Sequence, residues 1–578
     1  MFSKVLRSSA AAALLSASGV SAFMKLPLKA RGVPADATDV KTIVSPTNVT
    51  IRYKEPGKAG ICETTPGVNS YSGYIDIAPN VHTFFWFFES RRDPTNDPIT
   101  LWLNGGPGSD SLIGLFAELG PCNLTENLTS NLNPYSWSEV SNLLFLSQPL
   151  GTGFSYAEEG VGSLDPDTGI IHPSNESTAA GRYPVINATE VDTTDLAAVA
   201  AYHVLQGFLS ALPMLDSKVK SRDFNLWTES YGGHYGPAFF KYFYEQNEAI
   251  ANGSAPGVQL NFNSLGVGFQ AGKKGTNLKR KQIGNGIIDE AIQVPHFPKF
   301  AVNNTYGIKV YDDTIYDYAQ MALHMPGGCL DQLSACRTLD KSTIAAKAMC
   351  SSAQVMCTDN VERLYMTYGD RGAYDIRQSA ANLAPPMYFE RYLNQDWVQN
   401  AIGVNLNYTK SNNEIFPAFQ QTGDLVYDHF LTDIEELLAA GVRVALYYGD
   451  ADYICNWFGG EAVSLAVEYA HAAEFRGAGY APFVVGGTEY GVVRQYGNFS
   501  FTRIYEAGHT VPYFQPEASL QMFNRTLFHY DLATGTEKVT AGLETNGCPN
   551  STHTEAHVPL PNDTGKRSVA QKACLPIL

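Results

Sequence analysis

The sequence predicts an α/β fold, with a mostly parallel central sheet and helices on both faces. Three observations predict it. Segments of strand-like composition alternate along the chain with segments of helical character. Ser230 lies where a predicted strand turns sharply into a predicted helix. Asp452 and His509 each follow the end of a further predicted strand, where ligand-binding residues cluster in open α/β sheets.

The predicted strands are rich in aromatic and β-branched residues and are bounded by turn residues. In order they are Ser70 to Ile77, Val81 to Glu89, Ile99 to Leu103, Asn142 to Leu146, Asp223 to Trp227, Gln282 to Ile288, Arg443 to Tyr448 and Phe501 to Tyr505. The predicted helices are Leu112 to Leu119, Asp192 to Leu212, Tyr235 to Ile250, Glu390 to Gly403 and Pro516 to Tyr530. In Asp192 to Leu212 the apolar residues recur at helical spacings of three and four.

The chain divides into six predicted parts. Residues 1–22 have a basic start, a short apolar run and a small-residue cleavage site, which is typical of a secretory signal. The other parts are a pro-segment or N-terminal extension at 23–50, a first core part at 51–296, an inserted helical lid at 297–385, a second core part at 386–531 and a polar, poorly ordered tail at 532–578. Within the first core part, residues 158–186 are polar and predict a surface insertion.

Composition excludes several function classes. The 578 residues are 44% hydrophobic, enough for a large buried core. A formal net charge of −17, with no basic stripe, argues against nucleic acid as a partner. No stretch is long and apolar enough to predict a membrane span.

Twelve Asn-x-Ser/Thr sequons predict N-linked glycans on surface loops and a secreted or vacuolar protein. They are Asn48, Asn123, Asn127, Asn175, Asn187, Asn252, Asn303, Asn407, Asn498, Asn524, Asn550 and Asn562.

Nine cysteines leave at least one unpaired if the others form bridges within the chain. Four of them cluster at spacings of seven, fourteen and seven, and a nested pairing of Cys329 with Cys357 and Cys336 with Cys350 would staple a helical hairpin. A zinc site is the alternative, but the tight Cys-x-x-Cys ligand pairs are missing. In an oxidising compartment disulfides are favoured.

Ser230 lies within the segment Trp227-Thr228-Glu229-Ser230-Tyr231-Gly232-Gly233-His234-Tyr235. A serine at a sharp strand-to-helix turn is the nucleophile elbow of an α/β-hydrolase, whose turn lifts Oγ above the sheet. The usual pattern is Gly-x-Ser-x-Gly, and Thr228 replaces its first glycine. An ordinary strand–helix turn is therefore the alternative.

The chain order Ser230, Asp452, His509 is that of an α/β-hydrolase catalytic triad. His509 would accept the Ser230 proton and later protonate the leaving amine, and Asp452 would fix the imidazole tautomer. Asp450 is a rival for the third position. We favour Asp452 because it lies further into the loop beyond its strand.

An oxyanion hole needs two backbone N–H groups aimed at the developing charge. Tyr231, the residue after the nucleophile, is expected to supply one. The glycine-rich loop Asn104 to Gly108 follows an early strand, and Gly106 is expected to supply the other. This loop is not expected to bind phosphate, because no Gly-Lys-Ser/Thr follows it.

These residues lie in segments that resemble the serine carboxypeptidases, in particular the fungal enzymes of the carboxypeptidase Y type. The matching segments extend from about Ser70 to His529. They include Trp102-Leu103-Asn104-Gly105-Gly106-Pro107-Gly108, Asn133-Pro134-Tyr135-Ser136-Trp137, Gly153-Phe154-Ser155-Tyr156, Glu229-Ser230-Tyr231-Gly232-Gly233-His234-Tyr235, Ile283-Gly284-Asn285-Gly286, Tyr392-Leu393-Asn394-Gln395-Asp396, Gly449-Asp450-Ala451-Asp452-Tyr453-Ile454-Cys455-Asn456-Trp457 and Gly508-His509-Thr510-Val511-Pro512.

The resemblance implies release of single residues from peptide and protein C-termini, with no cofactor or metal. It implies that Trp102, Asn104, Glu118 and Glu229 hold the substrate carboxylate. Two close carboxyl groups resist ionising together, so one stays protonated at acid pH and can donate a hydrogen bond to that carboxylate. Activity is therefore expected to be best at acid pH and to fail through KM as the pH rises.

The resemblance also implies that Cys455 is the free cysteine beside the substrate pocket and that Thr510 lines it. Ser109 stands where many relatives have a disulfide cysteine, and Ser147 stands where they have an aspartate. Two other functions remain open at this point. Relatives reuse the triad in esterases and acyltransferases, and a catalytically inactive binding protein could share the fold.

Overall fold

The computed structural model describes residues 33–165, 170–175, 178–264, 280–381 and 384–549. The predicted signal at 1–22 and the sequons at Asn550 and Asn562 lie outside these residues.

The described strands include every one predicted from the sequence. Their bounds are β1 Lys41–Val44, β2 Thr50–Lys54, β3 Ser70–Ala78, β4 Val81–Phe88, β5 Ile99–Leu103, β6 Cys122–Leu124, β7 Ser130–Leu132, β8 Asn142–Leu146, β9 Glu158–Leu164, β10 Ile171–Pro173, β11 Gly181–Val185, β12 Asp223–Ser230, β13 Asn261–Ser264, β14 Arg280–Gly286, β15 Arg443–Gly449, β16 Ala481–Val485, β17 Thr488–Tyr496 and β18 Phe499–Ile504.

The predicted helix at Leu112 to Leu119 is a short helix that continues into the π-helical turn Leu115–Leu119. The helices are α1 Leu112–Gly114, α2 Thr194–Leu215, α3 Gly232–Ala251, α4 Glu290–Gln293, α5 His296–Val302, α6 Asp313–His324, α7 Cys329–Arg337, α8 Ile344–Cys357, α9 Leu364–Tyr368, α10 Tyr388–Tyr392, α11 Asp396–Ile402, α12 Ile415–Thr422, α13 His429–Ala439, α14 Trp457–Ala466, α15 Ala472–Gly477, α16 Val511–Phe514 and α17 Pro516–Leu527.

A 13-stranded sheet forms the centre of the molecule, in the order β1-β2-β3-β4-β8-β5-β12-β14-β15-β18-β17-β16, with β13 beside β12. From β8 to β18 each neighbouring pair in this order is parallel. The strands outside them pair antiparallel at both edges. The predicted α/β architecture is confirmed, and its parallel part is the centre of the sheet.

Successive apolar side chains of the central strands point to opposite faces of the sheet, so each face carries its own hydrophobic core. In β5, Leu101 and Leu103 pack with α2 and α3 on one face, whereas Trp102 packs with α17 on the other. In β8, Leu144 and Phe145 divide in the same way. Because consecutive side chains of a strand point to opposite faces, apolar residues at every position bury both faces under helices.

The predicted lid segment contains α5 to α9 and two disulfides, Cys329–Cys357 and Cys336–Cys350. The nested pairing is therefore confirmed, and the zinc alternative for these cysteines is wrong. A third disulfide, Cys62–Cys122, was not predicted from the sequence. Cys455 is a free, buried cysteine, as expected. The boundaries of the lid remain predictions.

Four further features differ from the sequence expectations. The surface insertion forms a small antiparallel sheet of β10, β9 and β11. The helix predicted at Glu390 to Gly403 is two helices, α10 and α11. The hairpin of β16 and β17 was not predicted. The tail was expected to be poorly ordered from Ala533. Instead the backbone of Cys548 forms an antiparallel β-bridge with Tyr480, next to β16, so the expectation is wrong for the tail residues up to 549.

Helix α2 is the one helix within the described ranges that could span a membrane by length and composition. The sequence expectation excluded such a segment. In the structure 67% of its apolar window is buried inside the molecule, as expected of a core helix.

Candidate active site

Ser230 is the last residue of β12 and has a left-handed backbone, with φ of +65°. A non-glycine residue in this region is strained, and such strain is concentrated at functional sites. The turn into α3 depends on glycine, because a Cβ on Gly233 would lie 2.1 Å from the Ile287 carbonyl oxygen. Thr228, in place of the usual glycine, donates its hydroxyl to the Gly232 carbonyl at 2.7 Å. The threonine side chain therefore links the end of β12 to the start of α3.

His509 and Asp452 are hydrogen-bonded, with 2.7 Å between His509 Nδ1 and Asp452 Oδ2. Asp452 is fully buried. Its Oδ2 also accepts a bond from the Asn285 side chain at 3.0 Å, and its Oδ1 accepts one from the Ile454 amide at 3.1 Å. With the proton on Nδ1, His509 Nε2 is left as the basic atom.

Asp450, the rival to Asp452, has different partners. Its carboxylate accepts hydrogen bonds from the Tyr306 hydroxyl and, at 3.4 Å, from the Arg503 guanidinium. Arg503 is itself fully buried. Asp450 therefore belongs to a buried ion pair, and Asp452 is the aspartate that contacts His509.

The loop from Asn104 to Gly108 packs directly on the elbow. A Cβ on Gly105 would lie 2.3 Å from the Tyr231 amide nitrogen, so only glycine permits this approach. Gly106 has φ of +111°, a conformation that glycine adopts without strain. The two expected oxyanion donors, the amides of Gly106 and Tyr231, therefore belong to segments in close contact.

The Tyr231 side chain is anchored on a buried carboxylate. Its hydroxyl donates to Asp424, and the Thr194 hydroxyl donates to the same carboxylate at 2.6 Å. Sequence reasoning missed Asp424 and Thr194, and it quoted Asn285 only as part of a motif. Asn285 accepts a bond from the Gly449 amide at 2.9 Å, so it links β14 to the loop that carries Asp452.

The four residues expected to bind a carboxylate lie together. Asn104 Oδ1 accepts bonds from Trp102 Nε1 at 2.8 Å and from the Gly114 amide at 2.9 Å. These bonds orient the Asn104 amide, whose Nδ2 faces Glu118 Oε1 at 3.3 Å and Glu229 Oε1 at 3.4 Å. The result is a cluster of polar atoms between α1 and the elbow.

Burial raises the pKa of both carboxyl groups in this cluster, Glu118 and Glu229. For Glu229 the charge of Glu118 adds to the effect. Two buried acids in contact cannot both ionise at low cost, so the pair retains one proton. Glu229 Oε1 is also 3.9 Å from His509 Nε2, so the cluster lies next to the predicted triad.

Cys455 lies against the same centre. Its sulfur, one nitrogen of His509 and one carboxylate oxygen of Asp452 are within 4.8 Å of one another. Burial raises the pKa of the Cys455 thiol well above its ordinary value, so it stays protonated. Thr510, next to His509, is buried apart from 8% of its surface.

The similarity to known proteins covers the part of the chain that contains these site residues. The sequence profile of the serine carboxypeptidases matches residues 56–529. Carboxypeptidase S1 homolog B of Arthroderma otae is 39% identical over 563 residues, covering 91% of this chain and 82% of the relative. Carboxypeptidase S1 of Penicillium janthinellum is 36% identical over 470 residues, covering 81% of this chain and 97% of the relative.

Among solved structures, the fold is similar to that of Kex1(delta)p, a prohormone-processing carboxypeptidase from Saccharomyces cerevisiae. The TM-score is 0.57 at 18% identity, and the match covers 82% of this chain and 95% of that one. At this identity the likeness concerns the fold.

Proposed function

The chain belongs to the serine carboxypeptidase family, and we propose that Ser230, Asp452 and His509 are the residues by which it releases single amino acids from C-termini. The observation that carries this assignment is the 2.7 Å bond between His509 Nδ1 and Asp452 Oδ2 beside the strained Ser230 elbow. The Asn104 cluster next to them supplies a reason for acting at a free C-terminus.

Acylation begins when Ser230 Oγ attacks the carbonyl carbon of the last peptide bond and His509 Nε2 takes its proton. The tetrahedral oxyanion accepts hydrogen bonds from the Gly106 and Tyr231 amides. His509 then gives the proton to the leaving amine, the C–N bond breaks, and the peptide remains as an ester on Ser230. A water molecule, deprotonated by His509, hydrolyses the ester. Asp452 stabilises the imidazolium in both steps.

The substrate carboxylate binds to Asn104, Glu118 and Glu229, and Trp102 takes part by holding Asn104 in place, since its one N–H donates to Asn104 Oδ1. The retained proton of the glutamic acid pair donates a hydrogen bond to it. The raised pKa values of Glu118 and Glu229 keep that proton at acid pH. As the pH rises through these values the proton is lost, and both glutamates then repel the substrate carboxylate. KM therefore rises while kcat changes little. Peptidase activity is therefore expected to have an acid optimum.

The same proposal includes folding in the secretory pathway, with a secreted or vacuolar destination and N-linked glycans. Its support is the set of three disulfides in the described chain, since such bonds persist in oxidising compartments.

The deciding experiment compares a blocked dipeptide with a free C-terminus against the same dipeptide amidated. We expect kcat/KM to be much larger for the free acid at pH 5, and the difference to shrink toward pH 8 through KM alone. Ser230→Ala is the control, and a fluorophosphonate probe should label the wild type and not this variant. Equal kcat/KM for acid and amide across this pH range would contradict the carboxylate-binding role.

A further inference from the structure

Tyr447 is a buried residue of β15 that the proposed mechanism does not use. It is 1% exposed, and its ring lies 5.9 Å from that of Trp227, centroid to centroid. Its hydroxyl oxygen is buried and makes no hydrogen bond to another described residue. A buried hydroxyl without a partner is costly and calls for a physical explanation.

Strand register places Tyr447 beside the glutamic acid pair. Glu229 of β12 is in register with Gly284 of β14, and Gly284 is in register with Tyr447 of β15. Residues in register on parallel strands present their side chains to the same face of the sheet. Gly284 between them carries no side chain, so Glu229 and Tyr447 face each other over a gap of about 10 Å between Cα atoms.

Two further observations point to the same contact. Glu118 Oε2, on the other carboxyl group of the pair, is also buried and accepts no hydrogen bond from an N–H or hydroxyl group of a described residue, although the two carboxyl groups hydrogen-bond to each other. The Tyr447 hydroxyl lies in the field of both acids: after burial, the charges of Glu229 and Glu118 raise its pKa well above the ordinary value. The Tyr447 hydroxyl therefore has no hydrogen-bond partner among the described residues, and each carboxyl oxygen of the pair has a second lone pair with which it can accept a further hydrogen bond.

We propose that Tyr447 is a positioning residue of the carboxylate-binding cluster, whose hydroxyl hydrogen-bonds to the Glu118–Glu229 pair through one bridging water. Such a water would give the Tyr447 hydroxyl a partner and add a hydrogen bond to the acid pair, as buried waters commonly do. The inference rests on the proposed role of the pair in binding the substrate carboxylate. Tyr447 touches neither the substrate nor the reacting atoms, and it acts by orienting the pair and setting its proton affinity.

The direction of the effect follows from the donor. A hydroxyl that donates toward the pair stabilises its ionised form and lowers the pH at which the retained proton is lost. The other titratable groups facing Glu229 are Glu118, Asp452, His509, Cys455 and Tyr374, and a change at Tyr447 leaves them in position.

Tyr447→Phe removes only the hydroxyl. In the full-length glycosylated enzyme, acting on the blocked dipeptide with a free C-terminus, we expect the alkaline midpoint of kcat/KM to move up by about half to one pH unit. We expect kcat to stay within about twofold, because the triad is untouched. Tyr74→Phe is the matched control, since its hydroxyl is also buried without a hydrogen bond but lies on β3, away from the pair.

A midpoint unchanged in Tyr447→Phe, or shifted equally in Tyr74→Phe, would overturn the inference. If instead the acid pair does not bind the substrate carboxylate, the wild-type enzyme will have the same kcat/KM for the free-acid and the amidated dipeptide. That result separates a failure of the proposed function from a failure of the proposal for Tyr447. Should Tyr447→Phe fail to fold, an atomic-resolution crystal structure of the wild type decides. An ordered water bonded to both Tyr447 Oη and the acid pair supports the inference, and its absence there overturns it.

Discussion

At the residue scale, two aspartates separated by one alanine have entirely different surroundings. Asp450 points to Arg503 and Tyr306, while Asp452 points to His509 and Asn285. The chain turns between them just after β15, so their side chains diverge. Sequence position favoured Asp452 but could not exclude Asp450, because their partners lie 53 to 167 residues away along the chain.

Asp452→Ala is expected to lower kcat by about 10⁴, because His509 loses the group that fixes its tautomer. Asp450→Ala is expected to keep kcat per folded molecule within a few-fold. It should instead lower the free energy of unfolding by about 3–5 kcal/mol, since Arg503 loses its carboxylate in the interior. Steady-state kinetics and thermal unfolding of both variants measure this. Full activity in Asp452→Ala would contradict the assignment.

Asp110 predicts a pH dependence of stability. It is fully buried, and burial raises its pKa from 3.8 to about 7. In the unfolded chain the Asp110 carboxyl group ionises near pH 3.8, whereas in the folded chain it stays protonated up to about pH 7. The contribution of Asp110 to the free energy of unfolding is therefore fully present below pH 3.8 and is lost as the pH rises to about 7. It amounts to roughly 4 kcal/mol.

In Asp110→Asn the measured fall in stability should be smaller than in wild type, because the amide does not titrate, while the Glu118–Glu229 pair still contributes its own part. Unfolding midpoints at pH 4.5 and pH 7 would measure the fall in wild type and variant, with the exposed Asp317→Asn as control. The same fall in Asp110→Asn as in wild type would show that other groups cause it.

At the scale of elements, the central strands were predictable and the edges were not. Ile99–Leu103 and Asn142–Leu146 were predicted to the residue, since a strand buried on both faces is a short apolar run between turn residues. The β16–β17 hairpin was missed although its turn, Gly486-Gly487, is a two-residue hairpin signal. Neither Asp424 nor the Cys62–Cys122 bridge could be predicted, because each depends on contacts distant in sequence.

The strand–turn–helix element around Ser230 is expected to tolerate no side chain at Gly233. In Gly233→Ala the new Cβ would meet the Ile287 backbone at 2.1 Å, which must displace α3 or the end of β14. Since a shift of about 1 Å in a catalytic group can cost a factor of 10², we expect at least that loss in kcat/KM, with a lower melting temperature. Gly477→Ala is the control, because a Cβ there meets nothing within 4 Å. Wild-type activity in Gly233→Ala would refute this packing.

At the scale of the whole molecule, folding decides which sequons can carry glycans. Of the ten sequons within the described ranges, seven asparagines are exposed: Asn48, Asn123, Asn127, Asn175, Asn187, Asn252 and Asn303. Asn498 and Asn524 are partly exposed. Asn407 is only 6% exposed, and it binds the backbone of β11, because its Oδ1 accepts a hydrogen bond from the Arg182 amide at 2.8 Å.

Asn407 is therefore expected to be unmodified in the active enzyme, because a glycan there would separate β11 from the core. Glycopeptide mass spectrometry of the purified protein measures occupancy directly. Thr409→Ala removes this sequon and should leave the mass unchanged except for the substitution, whereas Ser254→Ala, which removes the exposed Asn252 sequon, should lower it by one glycan. A glycan found on Asn407 in active enzyme would mean that β11 does not pack there in solution. The predicted pattern follows from burial, which the sequons alone do not reveal.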